Sequence, residues 1–175
     1  NGSLYYQGTK LLNRVIFYDG VTWSIPLDPW DYQMLSPEGG RVSDVISWNG
    51  KLIFGGGSLI AADHDHFVSC PGIGAWDGTH WSALGNVFPS RSEKYFSTYQ
   101  GDLIALGRTA HLGYVGRWNG NVWSKFGTNP PTQGYAAQEY RHDLYVAKID
   151  YSSNEPAGGI ARWVDGGTAW QSVGT

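Results

Sequence analysis

The chain has 175 residues, a formal net charge of −3, 25 glycines and a single cysteine. This length suits one domain with a real core, and an aromatic content of 15% excludes a disordered chain. The small net charge argues against nucleic-acid binding, no apolar run is long enough to span a bilayer, and one cysteine excludes an internal disulfide framework.

A turn signal followed by leucine occurs four times along the chain. The copies are Asn1–Tyr6, Asn49–Phe54, Gln100–Ala105 and Arg141–Val146, and their leucines are Leu4, Leu52, Leu103 and Leu144. Asn-Gly between apolar runs predicts a tight type I′ hairpin, because both central residues then need positive φ. Each copy therefore predicts a strand A before the turn and a strand B after it.

A second signature follows in each repeat, in which an aromatic residue, an Asn-Gly or Asp-Gly turn and a tryptophan come in order. The copies are Tyr18–Trp23, Trp76–Trp81, Trp118–Trp123 and the longer Trp163–Trp170. They predict a second tight hairpin, with strand C before the turn and strand D after it. The closing tryptophans are Trp23, Trp81, Trp123 and Trp170. Because they and the four leucines recur at one repeat position each, we interpret them as structural packing residues.

Four antiparallel strands in about 45 residues is the size of one β-propeller blade. The repeats resemble the kelch-like propeller repeats of bacterial, fungal and phage surface proteins, and the Asp-Gly-x-x-Trp hairpin is similar to the Asp-box of sialidases. Gly55-Gly56 matches the di-glycine that often ends strand B in such blades, whereas the other three repeats depart from it. The resemblance implies an all-β propeller domain of about four blades, with repeats near 1–28, 41–86, 93–128 and 134–175. It says little about function.

The first repeat has no strand A, because the sequence starts at the turn residue Asn1. The prediction is therefore 15 strands, where four blades need 16. The strand near Leu4–Tyr6 would then lie at an open sheet edge, which favours association with another chain. We expect the chain to be a fragment of a longer propeller or to be completed by another chain, with a closed four-bladed monomer as the alternative.

Five long segments connect the predicted hairpins on one face of the propeller, and variable loops on a rigid scaffold usually carry binding sites. These segments cover residues 26–41, 61–70, 86–92, 128–133 and 150–158. Two aromatic residues of the first segment, Trp30 and Tyr32, would stack on sugar rings or enter a pocket of a protein partner. The alternative is that they cover the open end of the core.

The sharpest polar cluster in these segments is the run Asp63, His64, Asp65 and His66. In an extended segment alternate residues point to the same side, so His64 and His66 together with Asp65 would hold a divalent metal. The alternative is an ordinary polar loop tip, and the sequence names no third strong ligand. We therefore expect no cofactor, with a divalent metal as the minority hypothesis.

Catalytic signatures are absent from the sequence, which has no nucleophile elbow, no His-Glu-x-x-His motif and no P-loop. We expect a non-enzymatic structural or interaction module of an extracellular, cell-surface or virion protein, which neither binds nucleic acid nor inserts into a membrane. It would bind a protein partner or a neighbouring subunit, including a second copy, through the loop face and the open edge. A carbohydrate-binding, lectin-like propeller is the alternative, and a metal-dependent enzyme at Asp63–His66 is the third hypothesis. Cys70 is expected to be a small buried residue.

Overall fold

The computed structural model describes residues 5–6, 9–13, 17–18, 20–24, 33–37, 41–57, 59–63, 66–85, 94–107, 115–131, 134–148 and 159–174. These residues form 19 β-strands and no helix, which confirms the all-β prediction for this part of the chain.

The strands are short, and hydrogen bonds join them into five antiparallel sheets. Their bounds are β1 Tyr5–Tyr6, β2 Thr9–Asn13, β3 Phe17–Tyr18, β4 Trp23–Ser24, β5 Gln33–Pro37, β6 Arg41–Trp48, β7 Lys51–Gly57, β8 Leu59–Asp63, β9 His66–Cys70, β10 Ile73–Trp76, β11 Trp81–Ala83, β12 Lys94–Tyr99, β13 Asp102–Gly107, β14 Val115–Trp118, β15 Trp123–Lys125, β16 Gly134–Tyr140, β17 Asp143–Lys148, β18 Gly159–Trp163 and β19 Trp170–Val173.

Three of the sheets are the four-stranded units that the repeats predict. We name them sheet I (β6, β7, β10, β11), sheet II (β12 to β15) and sheet III (β16 to β19). In each sheet the strands pair with their neighbours in the order A, B, C, D, and the aromatic that ends strand C lies opposite the closing tryptophan. The four-strand prediction is therefore confirmed for the last three repeats.

The A–B turns have the predicted geometry, with two successive residues at positive φ. The angles are 48° and 72° at Asn49 and Gly50, and 50° and 84° at Gln100 and Gly101. The third turn has φ of 50° at Arg141 and 69° at His142, although it contains no glycine. That conformation strains side-chain-bearing residues, so the strand pairing on both sides must hold it in place.

The C–D turns of sheets I and II differ from the prediction, because each is a four-residue loop capped by a side chain. Asp77 Oδ1 accepts hydrogen bonds from the backbone N–H groups of Thr79 at 2.9 Å and His80 at 2.7 Å. Asn119 Oδ1 accepts two equivalent bonds, each at 3.0 Å. The two-residue type I′ prediction is therefore wrong here, since the Asp or Asn side chain replaces a backbone acceptor and only the glycine needs positive φ.

The first part of the chain also differs from the prediction. Residues 61–70, predicted as an irregular loop, lie largely in the hairpin β8–β9, and β5 lies within the predicted loop 26–41. Together with β1 and β2 these strands form a five-stranded sheet in the order β1-β2-β5-β8-β9. The C–D hairpin of the first repeat, β3–β4, forms a separate two-stranded sheet. The predictions of 15 strands and of a three-stranded first unit are therefore wrong, because β1 pairs locally with β2, and non-local pairing of β2 with β5 and of β5 with β8 builds the larger sheet.

The core lies between successive sheets, which stack face to face in chain order. One apolar cluster joins sheets I and II, and a second joins sheets II and III. Strand β12 packs against both β6 and β16, so the A strands of the three sheets are neighbours. In each sheet we call the surface toward the preceding sheet the front face and the other the back face.

Candidate interaction surface

The closing tryptophan of one sheet is hydrogen-bonded to the sheet before it. The indole N–H of Trp123 donates to the carbonyl of Leu84 at 2.6 Å, and that of Trp170 donates to the carbonyl of Phe126 at 2.7 Å. Each acceptor lies three residues after the closing tryptophan of its own sheet. The register therefore repeats the same donor and acceptor positions from one junction to the next.

A second repeated bond links the A–B ends of the sheets. The indole N–H of Trp48 donates to the carbonyl of Gly101 at 2.8 Å, and the hydroxyl of Tyr99 donates to the carbonyl of His142 at 2.9 Å. In both cases the last residue of strand A reaches the second residue of the next A–B turn. Each junction thus contains one hydrogen bond from strand A and one from strand D to the neighbouring sheet.

The back face of sheet III has no sheet packed on it among the described residues. Tyr140 is 55% exposed, Ile160 is 45% exposed and Val173 is 39% exposed. Their register equivalents in sheet II are Tyr99, Val115 and Phe126, which are all buried under sheet III. The same repeat positions therefore form a core in one sheet and an open surface in the last one.

The open face also carries an ion pair that the repeat supplies to both sheets. Arg162 bonds the carboxylate of Asp143, and Arg117 Nε lies 2.5 Å from Asp102 at the equivalent place in sheet II. The backbone N–H of Asp165 donates to Asp143 Oδ1 at 2.9 Å. This bond and the Arg162 guanidinium lower the pKa of the Asp143 carboxyl below its usual value.

The front face of sheet I is also partly open. Leu52 is 37% exposed, whereas its equivalents Leu103 and Leu144 are fully buried, and Val45 is exposed on the neighbouring strand. On strand β11 of the same face, Trp81 is covered by Ala61 and Cys70 of the hairpin β8–β9.

The indole nitrogen of Trp81 is buried and has no hydrogen-bond partner among the described residues. In the two internal junctions the acceptor carbonyl lies three residues after the closing tryptophan of the preceding repeat. For Trp81 that carbonyl would be at position 26, which lies outside the described residues. Trp23 itself is 66% exposed and stacks on Tyr18 with ring centroids 4.8 Å apart. The prediction that Trp23 packs between repeats is therefore wrong, because its hairpin is not stacked on a neighbouring sheet.

Two buried groups lie near these faces. The ammonium group of Lys94, at the start of β12, donates to the carbonyl of Gly56 at 3.3 Å, and burial lowers its pKa to about 8. Nothing in the sequence around this lysine indicated that it is buried. Cys70 is fully buried, as predicted, and burial raises the pKa of its thiol to about 12.

The predicted loop residues Trp30, Tyr32, His64 and Asp65, and the repeat residue Leu4, lie outside the described residues. The backbones of Asp63 and His66 lie opposite each other as paired residues of β8 and β9. The run is therefore not one extended strand with alternating sides, as the metal hypothesis assumed. In the part of the chain that the structure describes, no three His, Cys, Asp or Glu residues are grouped to hold a metal ion.

The sequence pattern does not predict the open back face of sheet III. Its residues follow the same alternation as their buried equivalents, so the pattern alone does not distinguish them. The one available signal was the change from Tyr95 and Leu106 to the smaller Ala136 and Ala147 in the last repeat.

None of the described residues forms a helix long and apolar enough to cross a membrane. Comparisons of the sequence with protein-family models and with curated proteins, and of the structure with solved structures, give no match.

Proposed function

We propose that this chain is a non-enzymatic structural or interaction module that binds a protein through the back face of sheet III. The stacked sheets I to III are, in this proposal, consecutive blades of a kelch-like β-propeller. The proposal includes the extracellular, cell-surface or virion setting that the low charge and high glycine content favour.

One observation carries the proposal, namely the exposure of Tyr140, Ile160 and Val173 at positions that are buried in sheet II. These side chains lie beside the aromatic ring of Tyr145 and the guanidinium of Arg162, which is 5.8 Å from that ring. Tyrosine and arginine are among the residues that contribute most to binding at protein–protein interfaces. Contiguous apolar surface on a folded protein usually marks such a site.

The repeated ion pair supports a protein partner over a small ligand. Arg162 is already paired with Asp143, so its charge is largely balanced before any anionic ligand could bind. The face is one side of a four-stranded antiparallel sheet, whereas small-molecule sites are concave. A second sheet or another extended protein surface is the natural complement of such a face.

The test is site-specific photo-crosslinking in cells that express the natural gene. The photoreactive residue p-benzoylphenylalanine replaces Ile160 in one variant and Thr79, an exposed residue of a C–D turn, in the control. We expect discrete protein adducts from position 160 and none from position 79, with the partner identified by peptide mass spectrometry. Adducts with glycan alone would instead support the lectin-like alternative, and equal labelling from both positions would refute the proposed surface.

A further inference from the structure

We infer that the protein that covers the back face of sheet III is a second copy of this chain, which docks through the front face of its own sheet I. This inference rests on the proposed function, because it names the partner of the surface proposed there. The evidence for it is that the two internal junctions of the molecule make the same set of contacts.

The internal junction between sheets II and III provides the template. Its back face supplies Tyr99, whose hydroxyl donates to the carbonyl of His142, and Phe126, whose carbonyl accepts from Trp170. Leu144 of the following sheet is fully buried in the same apolar cluster. A back face therefore needs three things from the sheet that covers it, which are an A–B turn carbonyl, a buried leucine and a tryptophan N–H.

The back face of sheet III offers its half of this template without a partner among the described residues. Tyr140 takes the place of Tyr99, and Val173 takes the place of Phe126 with Gly174 after it, as Gly127 follows Phe126. Tyr140 packs beside Tyr145 and Arg141, and its hydroxyl has no hydrogen-bond partner in the part of the chain that the structure describes.

The front face of sheet I offers the other half. Its A–B turn, Asn49-Gly50, is exposed, so the Gly50 carbonyl stands where those of Gly101 and His142 stand in the following sheets. Leu52 and Val45 are exposed where Leu103 and Phe96 are buried in sheet II. On strands A and B the two faces therefore complement each other as in the internal junctions, whereas β8–β9 covers Phe54 and Trp81 on the rest of the front face of sheet I.

The third required group is the tryptophan N–H, and Trp81 is the closing tryptophan whose buried N–H lacks an acceptor among the described residues. In the internal junctions this donor binds the carbonyl that corresponds to Val173. The hairpin β8–β9 now covers Trp81, so docking over the full face requires that hairpin to move outward. The new bond to the carbonyl of Val173 would then satisfy a donor that has no acceptor among the described residues.

The contact is heterologous, since it joins a back face to a different front face. Each copy keeps one free front and one free back, so assembly yields rings or open filaments rather than only dimers. This property gives the inference a test that a symmetric dimer would not pass.

The experiment measures the mass of the purified full chain by light scattering over a range of concentrations. We expect the wild type to exceed the monomer mass of 19.2 kDa increasingly with concentration. The variants Leu52→Asp and Ile160→Asp each carry one blocked face and are expected to be monomeric. Their mixture retains one intact front and one intact back, so it should form a 1:1 complex of twice the monomer mass.

The control is Val122→Asp, because Val122 is similarly exposed but lies in a C–D turn outside both faces. It should assemble like the wild type, and circular dichroism checks that all variants fold. A monomeric wild type, or a mixture that stays monomeric, would overturn the inference while a crosslink to another protein would leave the proposed function standing. Assembly lost in Trp23→Ala but kept in Leu52→Asp would also overturn it, since the Trp23 hairpin would then be the occupant.

Discussion

The junction between sheets II and III predicts a large destabilisation by the substitution Gly127→Ala. Gly127 has φ of +77°, and a Cβ atom at this position would overlap the ring of Trp163, with Cη2 at 2.7 Å and Cε3 at 2.9 Å. Trp163 is buried against Phe126, with ring centroids 4.8 Å apart, so the indole has little freedom to move away.

Two contributions set the size of the effect. Holding alanine at positive φ costs about 1 kcal/mol, and overpacking a well-packed core costs about 1–3 kcal/mol more. We therefore expect the free energy of unfolding to fall by about 2–4 kcal/mol. For a chain of this length that corresponds to a fall in Tm of about 5–15 °C.

The repeat supplies two matched controls, because Gly85 and Gly174 occupy the same position with φ of +74° and +80°. A Cβ atom at Gly85 would approach Trp123 Cδ1 only to 3.2 Å, and one at Gly174 would meet nothing within 4 Å. Their alanine variants should therefore lose only the conformational part, about 1 kcal/mol. Urea denaturation followed by tryptophan fluorescence measures all three. If Gly127→Ala lost no more stability than Gly85→Ala, the assigned packing of Trp163 on this turn would be refuted.

Three further predictions concern buried groups. Because burial lowers the pKa of Lys94 from 10.5 to about 8, the unfolded chain binds a proton between these pH values that the folded chain does not. The stability of the wild type relative to Lys94→Met should therefore rise by about 3 kcal/mol as the pH increases from 8 to 10.5. A difference that is independent of pH in urea titrations would contradict this. Trp123→Phe removes the bond to the carbonyl of Leu84 and should cost about 1 kcal/mol more than Trp81→Phe, because the indole N–H of Trp81 has no acceptor among the described residues. The reverse order of unfolding midpoints would count against the repeated bond. Cys70, fully buried and with a pKa near 12, should react with a disulfide reagent only as fast as the protein opens, so labelling at the rate of a free thiol would show that the β8–β9 packing is wrong.

Repetition of one junction explains why the exposed faces are informative. In a stack, each unit is stabilised mainly by its neighbours, and the terminal units keep unpaired surfaces unless a cap covers them. Here the last sheet keeps the same aromatic, aliphatic and carbonyl groups as the sheet before it, so the exposed face retains the chemistry of a junction.

The sequence by itself determined the four-stranded units of the last three repeats. Two local effects account for this. Residues at positive φ between apolar runs specify the A–B turns, as at Asn49 and Gly50, and Asp77 or Asn119 caps the C–D turns through its own side chain. Because these interactions span only a few residues, they can be predicted from the local sequence. The burial of Cys70 was predicted separately, from the usual behaviour of a lone cysteine.

Only the tertiary structure decided how the remaining strands pair and which repeated positions are exposed. The run Asp63–His66 was polar enough to suggest a loop, yet Ala61 and Val68 on either side of it are paired across β8 and β9. Ile160 and Val115 follow the same pattern, but one is exposed and the other is buried, because only Val115 has a sheet packed over it. Strand pairing and sheet stacking join residues far apart in the chain. The alternation that the repeats share therefore does not predict which of them has a sheet packed over its back face.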